Sequence, residues 1–416
     1  MNIHHKIFLL FLFLLPTQLG YHFWPQWSLV FGIRVDYLSP AIYLTDILLI
    51  STLFFWSREF SNKYKNLVFP LVIFLVLNIL FSSSWQVSIF KGLKIFEVVL
   101  LSLYVSQNWK YLKTRIWLPF SLASFYTLIL VFFQMYFQKT IGGIFYFLGE
   151  RTFFTSTPGI ALFDFFGKAL MRPYATFSHP NSLAGFSLVV LFILFLSLQE
   201  LRKKAKIITI TAIIGSLVLI VLSVSQLVWI ALLIVLCVYF FHGIIGRHAK
   251  QLFSVFLVFC LAFSIFLSLF SQNIADSFSF LESIEQRLNL NTVSKGLILR
   301  KPIFGVGLGN FVNVIKNYPD KNLFVSNTNV WLLQPVHNIF LLTFAETGIV
   351  GLGLFLLVLF KAANSGTKYL ILLLPILLTG MGDHYWLTLQ QNLLLFGIVF
   401  GIVFSSGTIT AWKKMS

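Results

Sequence analysis

Apolar runs about as long as a bilayer is thick recur along this chain, separated by short polar segments. They fall near residues 7–20, 38–56, 67–83, 90–107, 117–137, 182–199, 207–223, 227–244, 252–270, 337–359, 369–385 and 389–407. A helix needs about 20 apolar residues to cross roughly 30 Å of hydrocarbon, so the pattern predicts about twelve transmembrane helices. Two connections are long, from about 138 to 180 and from about 271 to 336, and loops of that length usually carry structure or function. In the second, Ile284, Leu288, Leu290, Val293, Leu297 and Ile298 recur at helical spacing, which predicts a helix lying against the membrane surface. The glycines of "FGVGLGNF" predict a tight turn into another short helix. The expected fold is therefore all-α: one polytopic membrane domain over residues 1–416, with two long outer loops, the larger (271–336) containing short helices.

Composition agrees with the pattern. The chain is 58% hydrophobic and 10% charged, with a mean hydropathy of +0.88, whereas soluble globular chains are about 45–50% apolar and about 25% charged. The net charge of +17 would suggest nucleic acid in a soluble protein. Here the cations cluster between apolar runs: Lys6, Arg58/Lys63/Lys65, Lys110/Lys113/Arg115, Arg202/Lys203/Lys204/Lys206, Arg247/Lys250, Lys361/Lys368 and Lys413/Lys414. With about twelve spans all of these fall on one side, which the positive-inside rule makes cytoplasmic, together with both termini. No nucleic-acid-binding motif accompanies them. The start of the chain, "HHKIFLLFLFLLP", lacks a small-residue cleavage site and reads as an uncleaved first span. Cys237 and Cys260 lie inside apolar runs, so neither a disulfide framework nor a zinc site is expected.

The remaining polar residues gather at the opposite boundary. In "MRPYATFSHPNSLAGFSLVV", Arg172, His179, Pro180 and Asn181 lead straight into an apolar run. Asn181 reads as an N-cap and Pro180 disfavours helical geometry at His179, but capping does not account for Arg172 and His179 arriving together. Ser225 and Gln226 occupy a tight turn in "LSVSQLVWIALL", where polar residues serve as caps or as ligands. Arg287 sits one turn into the predicted loop helix, and Arg300 closes it. His337 and Asn338 open the run at 337–359, a capping position as well as a chemical one, and "GMGDHYW" adds Asp383 and His384. Glu346 lies nine residues after His337, half a turn out of phase and ~13 Å deeper along a helix. The two form no dyad, and Glu346 reads as an interhelical hydrogen-bonding residue. Asp46 and the Lys94/Glu97 pair take the same structural reading. The glycine segment lacks the Lys-Ser/Thr of a phosphate-binding loop.

Arginine matches phosphate geometry and keeps its charge; histidine can accept a hydroxyl proton near neutral pH. Together they suit a reaction that expels an anionic leaving group and adds a hydroxyl nucleophile. No carboxylates at glycosidase spacing and no Gly-x-Ser-x-Gly elbow compete.

In order and spacing, "RPYATFSHPNSLAGF", "RKPIFGVGLGNF" and "HNIFLLTFAETGIVGLG" resemble motifs of the O-antigen ligase and polymerase-related family of bacterial membrane glycosyltransferases, over roughly residues 170–355. The resemblance implies about twelve helices, a large periplasmic loop, and transfer of a glycan from undecaprenyl diphosphate to an acceptor hydroxyl outside the plasma (inner) membrane. It implies no nucleotide, metal or other cofactor. Partners would be the lipid-linked donor, membrane lipids, and a growing glycan, a lipid core or a protein hydroxyl as acceptor. The family's loop arginine matches Arg287 and its histidine matches His337, the catalytic pair. Its second arginine falls at Gln226, where this chain departs; Arg172 or Arg300 is expected to compensate. Arg172, His179, Asn181, Gln226, Arg300 and Asn338 complete the expected substrate-binding set. The alternatives are a transporter or flippase of the same lipid, and a protein O-oligosaccharyltransferase of the same family.

Overall fold

A helix satisfies its own backbone N–H and C=O groups, as an apolar run in hydrocarbon requires, and every one of the twelve apolar runs contains a helix. The computed structural model describes residues 2–57, 65–241, 249–277, 282–316, 333–365 and 368–405. The cations Arg58, Lys63, Arg247, Lys413 and Lys414, the side chains of Lys65, Lys250 and Ile284, and residues 317–332 of the second long loop lie outside the described residues. Among the described residues, five helices are long and apolar enough to cross a membrane: Trp117–Phe137, Pro180–Glu200, Lys203–Leu222, Gln251–Ser271 and Ile339–Asn364. Six more apolar helices have 10–17 residues and so reach at most about 25 Å each. The remaining run, 90–107, is filled by the 28-residue helix Trp85–Leu112.

Not everything is helical. Three two-stranded antiparallel ladders stand in the connections: Gly20–His22 with Ala41–Tyr43, Leu29–Val30 with Ile33–Arg34, and Leu162–Phe165 with Lys168–Met171. The last two turn through Phe31-Gly32 and Phe166-Gly167, all at positive φ, which is how a tight type I′ hairpin matches strand twist. The all-α expectation is corrected to a mostly helical chain with small hairpins.

The helix Glu282–Arg300 also differs from expectation. Its stripe Leu288, Leu290, Val293 and Leu297 is buried, and the last three pack with Val306, Phe311, Val336 and Leu341 and with Val30, Val35 and Leu38 of the first hairpin region. Its apolar face is thus covered by protein.

The glycine segment follows as a tight turn leading into the short helix Phe311–Ile315. The amides of Val306 and Gly307 donate to the carbonyls of Ala345 and Glu346 (both 2.9 Å). Those of Gly309 and Phe311 donate to the Glu346 carboxylate (2.9 and 3.2 Å). Asn78 closes the other side, donating to Phe304 and Glu346 carbonyls and accepting from the Leu308 amide. Glu346 is therefore the hydrogen-bonding residue the sequence suggested. Lys94 pairs with Asp46, which Gln390 also reaches, and lies 3.5 Å from Glu97.

Where this turn meets the helix Ile339–Asn364, the helix breaks at Gly348 (φ 65°, ψ −168°). The break frees the amides of Ile349 and Val350 to bond Pro302 and Ile303 carbonyls. A Cβ at Gly348 would overlap the Ile303 carbonyl, whereas one at Gly353, five residues on, would meet nothing. Gly348→Ala is expected to cost about 1–3 kcal/mol in backbone strain alone and to lower the unfolding temperature in detergent. Gly353→Ala should leave it unchanged or raise it slightly. Equal temperatures for the two variants would contradict this account of the kink.

Candidate active site

The first long connection is held by a buried amide. Gln134, near the end of the helix Trp117–Phe137, accepts from the backbone N–H of Tyr174 and Ala175 and donates to the Ala175 carbonyl and to Glu150. Glu150 in turn accepts from the amides of Ile141 and Gly142. These bonds fix the segment carrying Arg172 against the helix bundle.

Arg172 then reaches inward. Its Nε donates to the Ser223 carbonyl (2.9 Å) and its Nη2 to Asn181 Oδ1 (2.7 Å). The same Asn181 amide donates through Nδ2 to Asp383 Oδ2 (3.2 Å). Asn181 was expected to cap its helix; the cap is instead His179, whose Nδ1 accepts from the Asn181 amide (3.1 Å). Pro180 explains the shift: as the first helical residue it has no N–H to satisfy and presets φ. That frees the Asn181 side chain to join Arg172 to Asp383.

Asp383 and His384 lie between the helices Leu373–Gly380 and Tyr385–Thr388. They are brought against the His179 helix because Gly185 lets the Tyr385 ring approach its backbone. Asp383 Oδ1 accepts the His384 amide (2.8 Å). Thr388 donates its proton to the His384 carbonyl, so its Oγ1 accepts from His384 Nδ1 (2.7 Å). The His384 proton thus sits on Nδ1, leaving a lone pair on Nε2.

The His337 ring is 4.9 Å from that of His384, and its Nδ1 is buried without a hydrogen-bond partner. Its neighbour Asn338 is the N-cap of Ile339–Asn364. Asn338 Oδ1 accepts from Phe340 and Leu341, and Nδ2 donates to Ser264 Oγ and the Met381 carbonyl. With its amide fully engaged inside the protein, Asn338 positions His337 and leaves nothing for a substrate, contrary to the binding role expected of it.

Arg287, one turn into Glu282–Arg300, acts on the charges of Arg172, His179, His337, Asp383 and His384. Arg300 is exposed at the other end of that helix, thirteen residues and therefore about 20 Å away, so the fold does not bring it to the cluster. Gln226 is exposed at the first position of Gln226–Phe240. It stays near the site: Leu227 packs at Gly382, and Arg172 bonds Ser223. The structure accordingly brings together Arg172, His179, Asn181, Arg287 and His337, and adds Asp383 and His384. The latter two were visible in the sequence as an Asp-His pair between apolar runs, without an assigned role.

Charge and burial set the protonation states. Burial lowers His179 and His384 to about 4, the nearby Asp383 carboxylate only partly opposing it. Burial likewise holds His337 well below the usual imidazole range, assisted by His384 and Arg287. For Asp383, burial acts against the charge, but in the acid range His337, His384 and His179 are themselves protonated and, with Arg287, outweigh it, so the carboxyl falls to about 2. At neutral pH the site therefore holds three neutral imidazoles, one carboxylate and two guanidiniums. The N-termini of Pro180–Ser197, Gln226–Phe240 and Ile339–Asn364 meet there, adding their positive dipole ends. Donor atoms of His337, Asp383 and His384 lie within 4.8 Å of one another, a set that could hold a divalent cation, although the Arg287 charge opposes one.

Residues 211–356 match the family model described as O-antigen ligase. The similarity takes in Gln226, Arg287, Arg300, His337 and Asn338; Arg172, His179, Asn181, Asp383 and His384 lie beyond it. It supports the O-antigen ligase and polymerase-related family and, with the apolar helices, a bacterial membrane protein of surface-polysaccharide biosynthesis. No curated protein matches the chain.

The histidines make stability pH-dependent. A group whose pKa falls on folding is protonated first in the unfolded chain, so acid favours unfolding. Stability is full above 6.5 and is lost as pH falls toward about 4. The Asp383 contribution is present above 3.8 and lost only as pH falls through about 2, so it does not mask the effect. The unfolding temperature in detergent should drop across the histidine window, and His179→Gln combined with His384→Gln should flatten that drop. Parallel curves for the wild type and the double variant would show the imidazoles to be protonated in the folded protein.

Proposed function

We propose that this protein is a membrane glycosyltransferase that moves a glycan from an undecaprenyl-diphosphate carrier to an acceptor hydroxyl on the outer face of the bacterial plasma membrane, as an O-antigen ligase or polymerase does. The observation that carries this reading is the convergence of Arg172, Arg287, neutral histidines and Asp383 at three helix N-termini. In the full chain about twelve helices cross the membrane, both termini are cytoplasmic, and this end of the bundle faces outward.

The leaving diphosphate meets Arg287, the unused Nη1 of Arg172 and the helix N-termini, which stabilise its growing charge. His337 accepts the acceptor's hydroxyl proton as that oxygen bonds to the anomeric carbon. The carbon–oxygen bond to phosphate breaks, and its electron pair leaves on the diphosphate. The nearby Asp383 carboxylate favours the imidazolium so formed, and His337 later returns its proton to water. No nucleotide or metal takes part. Gln226 can hydrogen-bond but cannot neutralise a diphosphate. Arg172, bonded to the turn just before Gln226, supplies the second cation; Arg300 is too far along its helix to do so.

Glycan transfer in membranes, at matched protein level, tests these roles. His337→Ala should abolish transfer and let donor lipid accumulate. Arg287→Lys and Arg172→Ala should each lose about 10²-fold or more, the scale of one lost transition-state donor. Arg300→Ala should stay near wild type, and Glu346→Gln should lower protein level more than specific activity. Gln226→Arg should be tolerated and should restore part of the activity of Arg172→Ala. Loss in Arg300→Ala with full activity in Arg172→Ala would move the second clamp to Arg300. Full activity in Arg287→Ala would remove the diphosphate reading altogether.

A further inference from the structure

Beside the histidine cluster opens a cavity of about 390 Å³ that the transfer step does not use. It falls within the roughly 300–1,000 Å³ range of small-molecule sites. Its outer wall is the hairpin segment of residues 33–43, with Arg151 from the first long connection, and its floor includes Thr388 and Gln390. The cavity and the cluster share a wall. Tyr37 and Thr388 both line the cavity and both touch His384, Tyr37 edge-on at 5.5 Å between ring centres and Thr388 through its hydroxyl. Ser178, also in the lining, immediately precedes His179.

The lining is built to hold hydroxyl groups. His22 Nδ1 donates to Ser39, whose own proton goes to the Phe23 carbonyl, and His22 Nε2 accepts from the Tyr43 hydroxyl at 3.2 Å. Those dipoles are fixed. Gln18 donates to Ser178 (2.6 Å), while its Oε1 is buried with no partner. Arg151 is neutralised by Asp36 at 2.8 Å. Arg34 makes no ion pair among the described residues, and its guanidinium lies over the Trp24 ring at 5.3 Å. Tyr37 and Tyr43, these preset donors and acceptors, and the Arg34 guanidinium give the lining a polar side that suits sugar hydroxyls, beside the apolar Ile33, Val35, Leu333 and Leu389 that suit a sugar's C–H face.

We propose that this cavity is a saccharide subsite, which seats a sugar of one substrate so that the reacting hydroxyl or anomeric carbon reaches the His337–His384 pair. It rests on the transferase reading and deepens it by placing glycan recognition in the chain's N-terminal hairpins. The sugar belongs either to the acceptor or to the lipid-linked donor.

A photo-crosslinking residue, p-benzoylphenylalanine, at Ile33 tests occupancy directly, because Ile33 lines the cavity and is 36% exposed. Irradiated cells should yield a protein adduct that stains for carbohydrate after periodate oxidation. The same residue at Ile349, away from the cavity lining, should not. An adduct that survives in cells lacking the lipid-linked donor assigns the sugar to the acceptor; one that disappears assigns it to the donor. In steady state, Arg34→Ala and Gln18→Leu should each raise KM for that one substrate about tenfold, the scale of one hydrogen bond to the sugar, with kcat little changed. If the Ile33 variant transfers glycan yet gives no carbohydrate adduct, and both KM values stay at wild type, the subsite is wrong while the transferase reading stands. Loss of transfer activity from the wild-type protein itself would instead sink the reading beneath it.

Discussion

The candidate active site depends on keeping one carboxylate charged inside protein. Asp383 accepts bonds from the His384 amide and from Asn181, and an isolated buried carboxylate would be costly without compensating charge. Arg287 and Arg172 supply that charge, and Asn181 links Arg172 to Asp383. The same arrangement keeps the three histidines neutral by burial. Arg287 acts against the charge of Arg172 and Asp383 favours it, so removing Asp383 would leave that repulsion less compensated. A diphosphate entering this site would take over part of the carboxylate's role.

That dependence also bears on the transport alternative. A path for an anionic lipid through the membrane would need ionisable groups free along its length. Asp46 is bonded to Lys94, Gln390 and the Tyr43 amide, and Glu346 holds the glycine turn with both oxygens. Asp46 and Glu346 are thus occupied in joining elements of the fold, while Arg172, Arg287, His179, His337 and His384 gather in one cluster.

Much of this was legible in the sequence, and what was not has physical causes. The helices followed from hydrophobic run length alone, and the glycine turn from three glycines in five residues. His337, Arg287 and Arg172 were legible because a cation or imidazole at the edge of an apolar run stands out. Asn181 and Asn338 were found but their roles were not legible, since asparagine caps helices and also bridges side chains. Only the position of Pro180, and the four partners of the Asn338 amide, show which role each takes. Arg300 looked equivalent to Arg287 until helix geometry placed them about 20 Å apart. The hairpins over residues 20–43 were missed because strands of two or three residues carry too little alternation to read, and the Gln134–Glu150 network because its contacts are set by the tertiary fold.

The central claim is that this cluster breaks a sugar–diphosphate bond. Purified protein in liposomes, supplied with a labelled undecaprenyl-diphosphate glycan and an acceptor, allows both products to be followed. Free undecaprenyl diphosphate should appear one for one with glycan on the acceptor. Donor that changes leaflet with its glycan–phosphate bond intact, and no free lipid diphosphate, would contradict the account.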